Sequence, residues 1–108
     1  RDRIVAMTAP LDLGAGHRLR FVQDGHGNCI GAIHEHPWPE NPDGSGACSG
    51  GIWFDVPAMR AFEAQEKRPP RPKWQIVSEE PLTLSPSIQC RGGCNVHGFV
   101  RDGKWQDA

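Results

Sequence analysis

Two thiols and an imidazole fall within eight residues of chain in Gln89-Cys90-Arg91-Gly92-Gly93-Cys94-Asn95-Val96-His97-Gly98. Thiolate sulfur and imidazole nitrogen are the donors that tetrahedral Zn(II) prefers. The Gly92-Gly93 pair lets the chain turn tightly between Cys90 and Cys94 and direct backbone amides at their sulfurs. The four cysteines, Cys29, Cys48, Cys90 and Cys94, form an even set that also invites a disulfide reading. A Cys-x3-Cys pair is tight for a mutual disulfide, however, and no hydrophobic export segment is visible, so His97 tips the balance toward metal.

A tetrahedral site needs a fourth donor and a second half-site. Cys48, in the Gly/Ser-rich stretch Gly46-Ala47-Cys48-Ser49-Gly50-Gly51, is expected to supply it from a turn just before a strand. Cys29 sits among Ile30 and Ile33 and reads as a small buried hydrophobe. His34 and His36 lie at strand spacing and project to one side, so His36 competes with His97 for the histidine place. Four protein donors make a closed, structural site. Three donors and a water would make a hydrolytic one, with Glu35 as the general base. Thiolates donate charge and weaken zinc as a Lewis acid, which favours the structural role. Ser85 and Ser87 near His97 offer a nucleophile and a base, although serines flanking Pro86 at a strand end read first as turn chemistry. His17 and His26, each beside glycine, are expected to be solvated.

The elements that must position these residues are mostly strands. Arg18–Val22 alternates polar and apolar residues, Gln23–Asn28 carries turn dipeptides, and Cys29–His34 returns as a strand. Pro37–Gly46 reads as a loop, and Trp38 within it as an exposed anchor for a protein partner. Gly51–Val56 is a strand, and Pro57 opens a helix over Ala58–Gln65 with Met59 and Phe62 on one stripe. Arg68-Pro69-Pro70-Arg71-Pro72 ends it as a stiff connector. Trp74–Val77 and Leu82–Leu84 are strands, and His97–Val100 with Lys104–Gln106 close a hairpin around Arg101-Asp102-Gly103. A cysteine turn feeding a hairpin is the layout of a zinc-ribbon half-site. Trp53, Trp74 and Trp105 are expected in the core of so small a β-rich chain.

At 108 residues the chain has the length of one domain (1–108), yet only 37% of it is hydrophobic, with 13 Gly and 10 Pro. A core this lean calls for a staple, and metal supplies one. A net charge of −1 gives no long-range attraction to nucleic acid or anionic lipid, and no apolar run reaches membrane-spanning length. The expected architecture is a small β-rich (α+β) single domain, zinc-ribbon-like hairpins with one short helix.

The segment Leu82-Thr83-Leu84-Ser85-Pro86-Ser87-Ile88, followed by Cys90, Cys94, His97-Gly98-Phe99-Val100 and Gly103-Lys104-Trp105, resembles a family of small proteins from phages of actinobacteria. The likeness is strongest over residues 80–106, with a looser match at His36 and over Cys48–Phe54. A more distant bacterial family, with Pro-Ser-Ile before a Cys-x-x-His turn, is similar there too. The resemblance implies a phage origin, bound zinc, and a place in the host cytoplasm or the virion. The expected function is a zinc-binding protein-interaction module engaging a host or phage protein, with Cys48, Cys90, Cys94, His97 and His36 as candidate ligands and Trp38 at the contact surface. A zinc-dependent hydrolase using Glu35 and a structural virion component are the alternatives.

Overall fold

The computed structural model describes residues 9–38, 46–91 and 94–108. The strands β1 (Leu11–Gly14), β2 (His17–Gln23), β3 (Cys29–Pro37) and β4 (Ala47–Trp53) form an antiparallel sheet in that order. The helix α1 (Pro57–Glu66) follows. The strands β5 (Gln75–Glu79) and β6 (Leu82–Ser85) then pair antiparallel as a hairpin. The strands β7 (Ile88–Gln89), β8 (His97–Arg101) and β9 (Lys104–Asp107) make a three-stranded antiparallel sheet. The fold is therefore β-rich with one helix among the described residues. Its Cys/His cluster between hairpins is consistent with a zinc-ribbon-like arrangement.

The β2–β3 hairpin follows from its turn chemistry. Asp24 accepts backbone N–H bonds from His26 and Asn28 through one carboxylate oxygen, and Gly27 takes the left-handed conformation at φ 83°. In α1, Pro57 sits in the first turn, where a missing N–H costs nothing. Lys67 ends the helix in the left-handed conformation, its N–H bonded to the carbonyl of Ala64. Met59 is the buried apolar residue of the helix, and Glu63 is buried beside it. Lys73 neutralises that carboxylate at 2.6 Å, and Glu63 also accepts the Arg71 backbone N–H at 3.0 Å. The proline-rich connector is thereby tied back onto the helix.

The core is built from Leu13, Leu19, Ile30, Ile52, Phe54, Met59, Leu84, Ile88 and Val100, with Trp105 at its edge. Truncating Phe54 to alanine would cost about 3–5 kcal/mol in cavity and lost burial. Of the three tryptophans expected in the core, Trp105 is buried, whereas Trp53 and Trp74 are half-buried and line a cleft. Gly98 explains how Trp105 fits: a Cβ there would lie 2.5 Å from the indole ring. The indole lies flat against His17, ring centroids 4.3 Å apart, and against His34 at 4.6 Å. His17 is therefore not solvated but buried, because it opens β2 on the core face rather than lying in the preceding turn. His26 is exposed, as its turn position requires. Most of the expected 37–46 loop lies outside the described residues. Trp38 falls within them, half-buried just after β3. Among the described residues no helix is long and apolar enough to cross a membrane.

Candidate metal centre and serine–histidine pair

His36, Cys48, Cys90 and Cys94 converge so that their ligand atoms all lie within 4.8 Å of one another, a group that could hold a metal ion. His36 and Cys48 come together because they are directly opposed across β3 and β4, which puts their side chains on one face. Cys48 is thus a strand residue, not part of a turn before the strand. Pairing through Gly50 and Ser49 extends β4 back to Ala47. Cys90 follows β7 directly, and its N–H bonds to the Val96 carbonyl at 2.8 Å, which closes the turn that carries Cys94. The expected contribution of Gly92 and Gly93 lies outside the described residues.

The donor set fits a tetrahedral thiolate-rich ion. Cys48 Sγ and Cys90 Sγ are 3.3 Å apart, and Cys94 Sγ lies 3.6 Å from His36 Nε2. Zinc with Zn–S of about 2.3 Å places tetrahedral sulfurs roughly 3.8 Å apart, so a small adjustment would seat the ion. His36 Nδ1 donates to the Pro37 carbonyl at 2.8 Å, which leaves Nε2 as the bare nitrogen facing Cys94. His36, Cys48 and Cys94 are buried. Hydrogen bonding to Cys90 pushes the Cys48 thiol up to about 12. Burial works against a thiolate at Cys94, but the Val96 amide and the two neighbouring thiols more than offset it, and its pKa falls. A divalent cation would displace the thiol protons and bind the resulting thiolates. Cys29 stands apart, buried, its thiol pushed up to about 11 by burial.

His97 is not in this cluster. In the β7–β8 pair, Gln89 lies opposite His97 and Ile88 opposite Gly98. Ile88, Gly98 and Val100 face inward, so Gln89, His97 and the diagonally placed Ser87 share the outer face. There His97 Nε2 and Ser87 Oγ are 2.8 Å apart. Cys94 lies in the turn before β8, whereas His97 opens β8 on its outer face, and this separates them. Glu35 is also unavailable to the cluster. It lies between His34 and His36 on the other face of β3, where Arg18 and Arg20 bind its carboxylate at 2.9 Å and 3.1 Å. Those hydrogen bonds hold its carboxyl below the usual range. With four protein donors converging and Glu35 turned away, the hydrolytic reading of the metal loses both its open position and its base.

The buried pair His17 and His34 was not foreseen as a unit. His17 Nδ1 and His34 Nε2 are 2.9 Å apart, and both rings stack against Trp105. Burial is the chief cause that lowers each pKa to about 4, so both rings are neutral near pH 7. The alternation of His17 with Leu19 was the available sequence signal.

Residues 58–108 match the family described as bacterial ubiquitination-like system serine protease (BubE). No curated protein and no solved structure matches the chain. The matched stretch runs from α1 through β9 and contains Ser87, Cys90, Cys94 and His97; His36 and Cys48 precede it. The similarity therefore suggests a protease-associated bacterial ubiquitination-like system, and over residues 58–108 this chain is similar to a family described as a serine protease.

Proposed function

We propose that the chain is a serine protease of a bacterial ubiquitination-like system, with Ser87 as nucleophile, His97 as general base, and the His36/Cys48/Cys90/Cys94 cluster as a structural zinc clasp. The 2.8 Å contact between Ser87 Oγ and His97 Nε2, on an exposed face within the segment similar to that family, carries the reading. It has the separation that a nucleophile and its base require.

In the first step His97 Nε2 takes the Ser87 hydroxyl proton as Oγ bonds to the scissile carbonyl carbon. The imidazolium then gives that proton to the leaving amine as the C–N bond breaks, leaving an ester on Ser87. Water hydrolyses the ester, passing its own proton through His97. Ser87 and His97 form the dyad that carries these steps. Zinc, when bound, supplies cross-linking rather than Lewis-acid chemistry, because thiolate donors and a full protein ligand set leave it no reacting position. The expected protein partner becomes a substrate on this reading, namely a ubiquitin-like protein or its conjugate.

Treatment of the intact chain with a fluorophosphonate probe tests the dyad. The expected adduct maps to Ser87 by peptide mass spectrometry and is lost in His97→Ala. No adduct, or an adduct that His97→Ala leaves undiminished, overturns the assignment.

A further inference from the structure

A cleft of about 420 Å³ opens between β4 and β7, lined by Ile88 and Gln89, which follow Ser87 in the chain. That volume lies in the range of genuine ligand sites. Its apolar floor is Trp53, Trp74 and Ile88, and two arginines, Arg71 and Arg91, also line it. No aspartate or glutamate does. Neither guanidinium is ion-paired among the described residues. Arg71 lies over the face of Trp53, 5.4 Å from the ring centroid. Its backbone is fixed by the Glu63 carboxylate, so the cation is presented from an anchored connector.

Two further observations define what fits. β4 is the outer strand of the four-stranded sheet and β7 the outer strand of the three-stranded sheet. The Trp53 carbonyl at the end of β4 is already bonded to the Trp74 N–H at 2.8 Å, so the earlier part of β4, with β7, offers the edge backbone groups that an extended peptide satisfies by adding a strand. Ser87 and His97 do not line the cleft, which reaches the nucleophile only through its neighbours. Ile88 follows Ser87 directly, and the Trp74 indole N–H donates to the Ser87 carbonyl at 3.2 Å. Gly50 keeps the edge open. It lies opposite His34 in the β3–β4 register, both line the cleft, and a Cβ on Gly50 would meet nothing within 4 Å.

We propose that this cleft binds an extended peptide segment bearing an acidic side chain, which Arg71 and Arg91 receive while the flanking residues lie against the tryptophans. This rests on the serine protease reading, and the segment is the part of the substrate next to the scissile bond. Arginine suits the task because its planar fork matches a carboxylate.

The test uses the intact chain carrying Ser87→Ala, so that nothing is turned over, and follows tryptophan fluorescence. The probe is a capped heptapeptide of Val, Ala and Gly with one central Glu, compared with the same peptide carrying Gln. The Glu peptide is expected to bind more tightly than about 1 mM and roughly 10-fold better than the Gln peptide. Arg71→Gln or Arg91→Gln should erase that preference. Gly50→Leu should abolish binding of both peptides at unchanged thermal stability and metal content. Equal affinity for the two peptides, no binding of either, or tighter binding of a single-stranded oligonucleotide that displaces them overturns the proposal. Fluorophosphonate labelling of the parent chain is read separately. Peptide binding without labelling sinks the protease reading alone, and labelling without peptide binding sinks the cleft alone.

Discussion

The metal cluster and the serine–histidine pair leave the same short segment, β7 through β8, on opposite sides, and nearly every physical property differs between them. Cys90 and Cys94 turn toward β3 and β4, where Cys48 and His36 meet them largely out of solvent. Ser87 and His97 face outward, on the exposed side of β7 and β8. The contrast teaches a division of labour. A two-residue strand is too short to hold the proposed nucleophile and base in register by its own ladder. On the proposed reading, a metal held by the cluster would pin the turn between β7 and β8 to the larger sheet, so that the buried side would rigidify what the exposed side uses. The two regions should therefore fail in different ways.

The sharpest break is at the cluster. Cys94→Ser is expected to lose bound zinc and to unfold the chain, since zinc binding in small domains supplies folding free energy on the order of 10 kcal/mol, comparable to total domain stability. Elemental analysis beside thermal melting checks it; full zinc retention with an unchanged melt would remove the clasp from the comparison. Ser87→Ala should do the reverse. Proteolysis of a ubiquitin-like fusion is expected to fall by about 10³-fold or more, while zinc content and the melting temperature stay put. Retained activity would show that the exposed pair is only a surface hydrogen bond. A loss of stability as well would mean that the two regions are not separable.

These contrasts also explain what the sequence disclosed. The β-rich character, the helix from Pro57 and the closing hairpin were legible because alternation, proline placement and turn dipeptides act locally. Cys48, Cys90 and Cys94 were legible as a candidate group from residue type and setting, and the fold brings them together. The histidine was not, because the choice between His36 and His97 depends on which face of a strand each occupies. Which face His97 takes is fixed only once the β7–β8 register is known. Ser87 looked like turn chemistry beside Pro86, since its partnership with His97 is a diagonal cross-strand contact spanning ten residues. His17 and Trp105 are far apart in the chain, and nothing near either announces that they stack.

That stacked pair gives the smallest expected effect and the finest probe of the clasp side. His17 and His34 have pKa values near 4 in the folded chain, and an unfolded histidine titrates near 6.5. Between those values the unfolded chain binds more protons than the folded one, so stability rises with pH across the window and falls on acidification from 6.5 toward 4. Above 6.5 both forms are neutral and the pair contributes no slope. Losing zinc as thiolates protonate would also destabilise the chain in acid, so the slope alone does not identify its source. His17→Leu isolates the histidine contribution, because it leaves the four donors in place and fills the space beside Trp105 with apolar bulk. The parent is expected to lose on the order of 2 kcal/mol more than the variant between pH 6.5 and 4.5, read from urea melts at matched zinc content. Imidazole resonances of His17 and His34 should stay in the neutral form at pH 5.5. If they titrate near 6.5, or the two melts fall in parallel, water reaches the pair and the buried side of the molecule is less closed than its packing indicates.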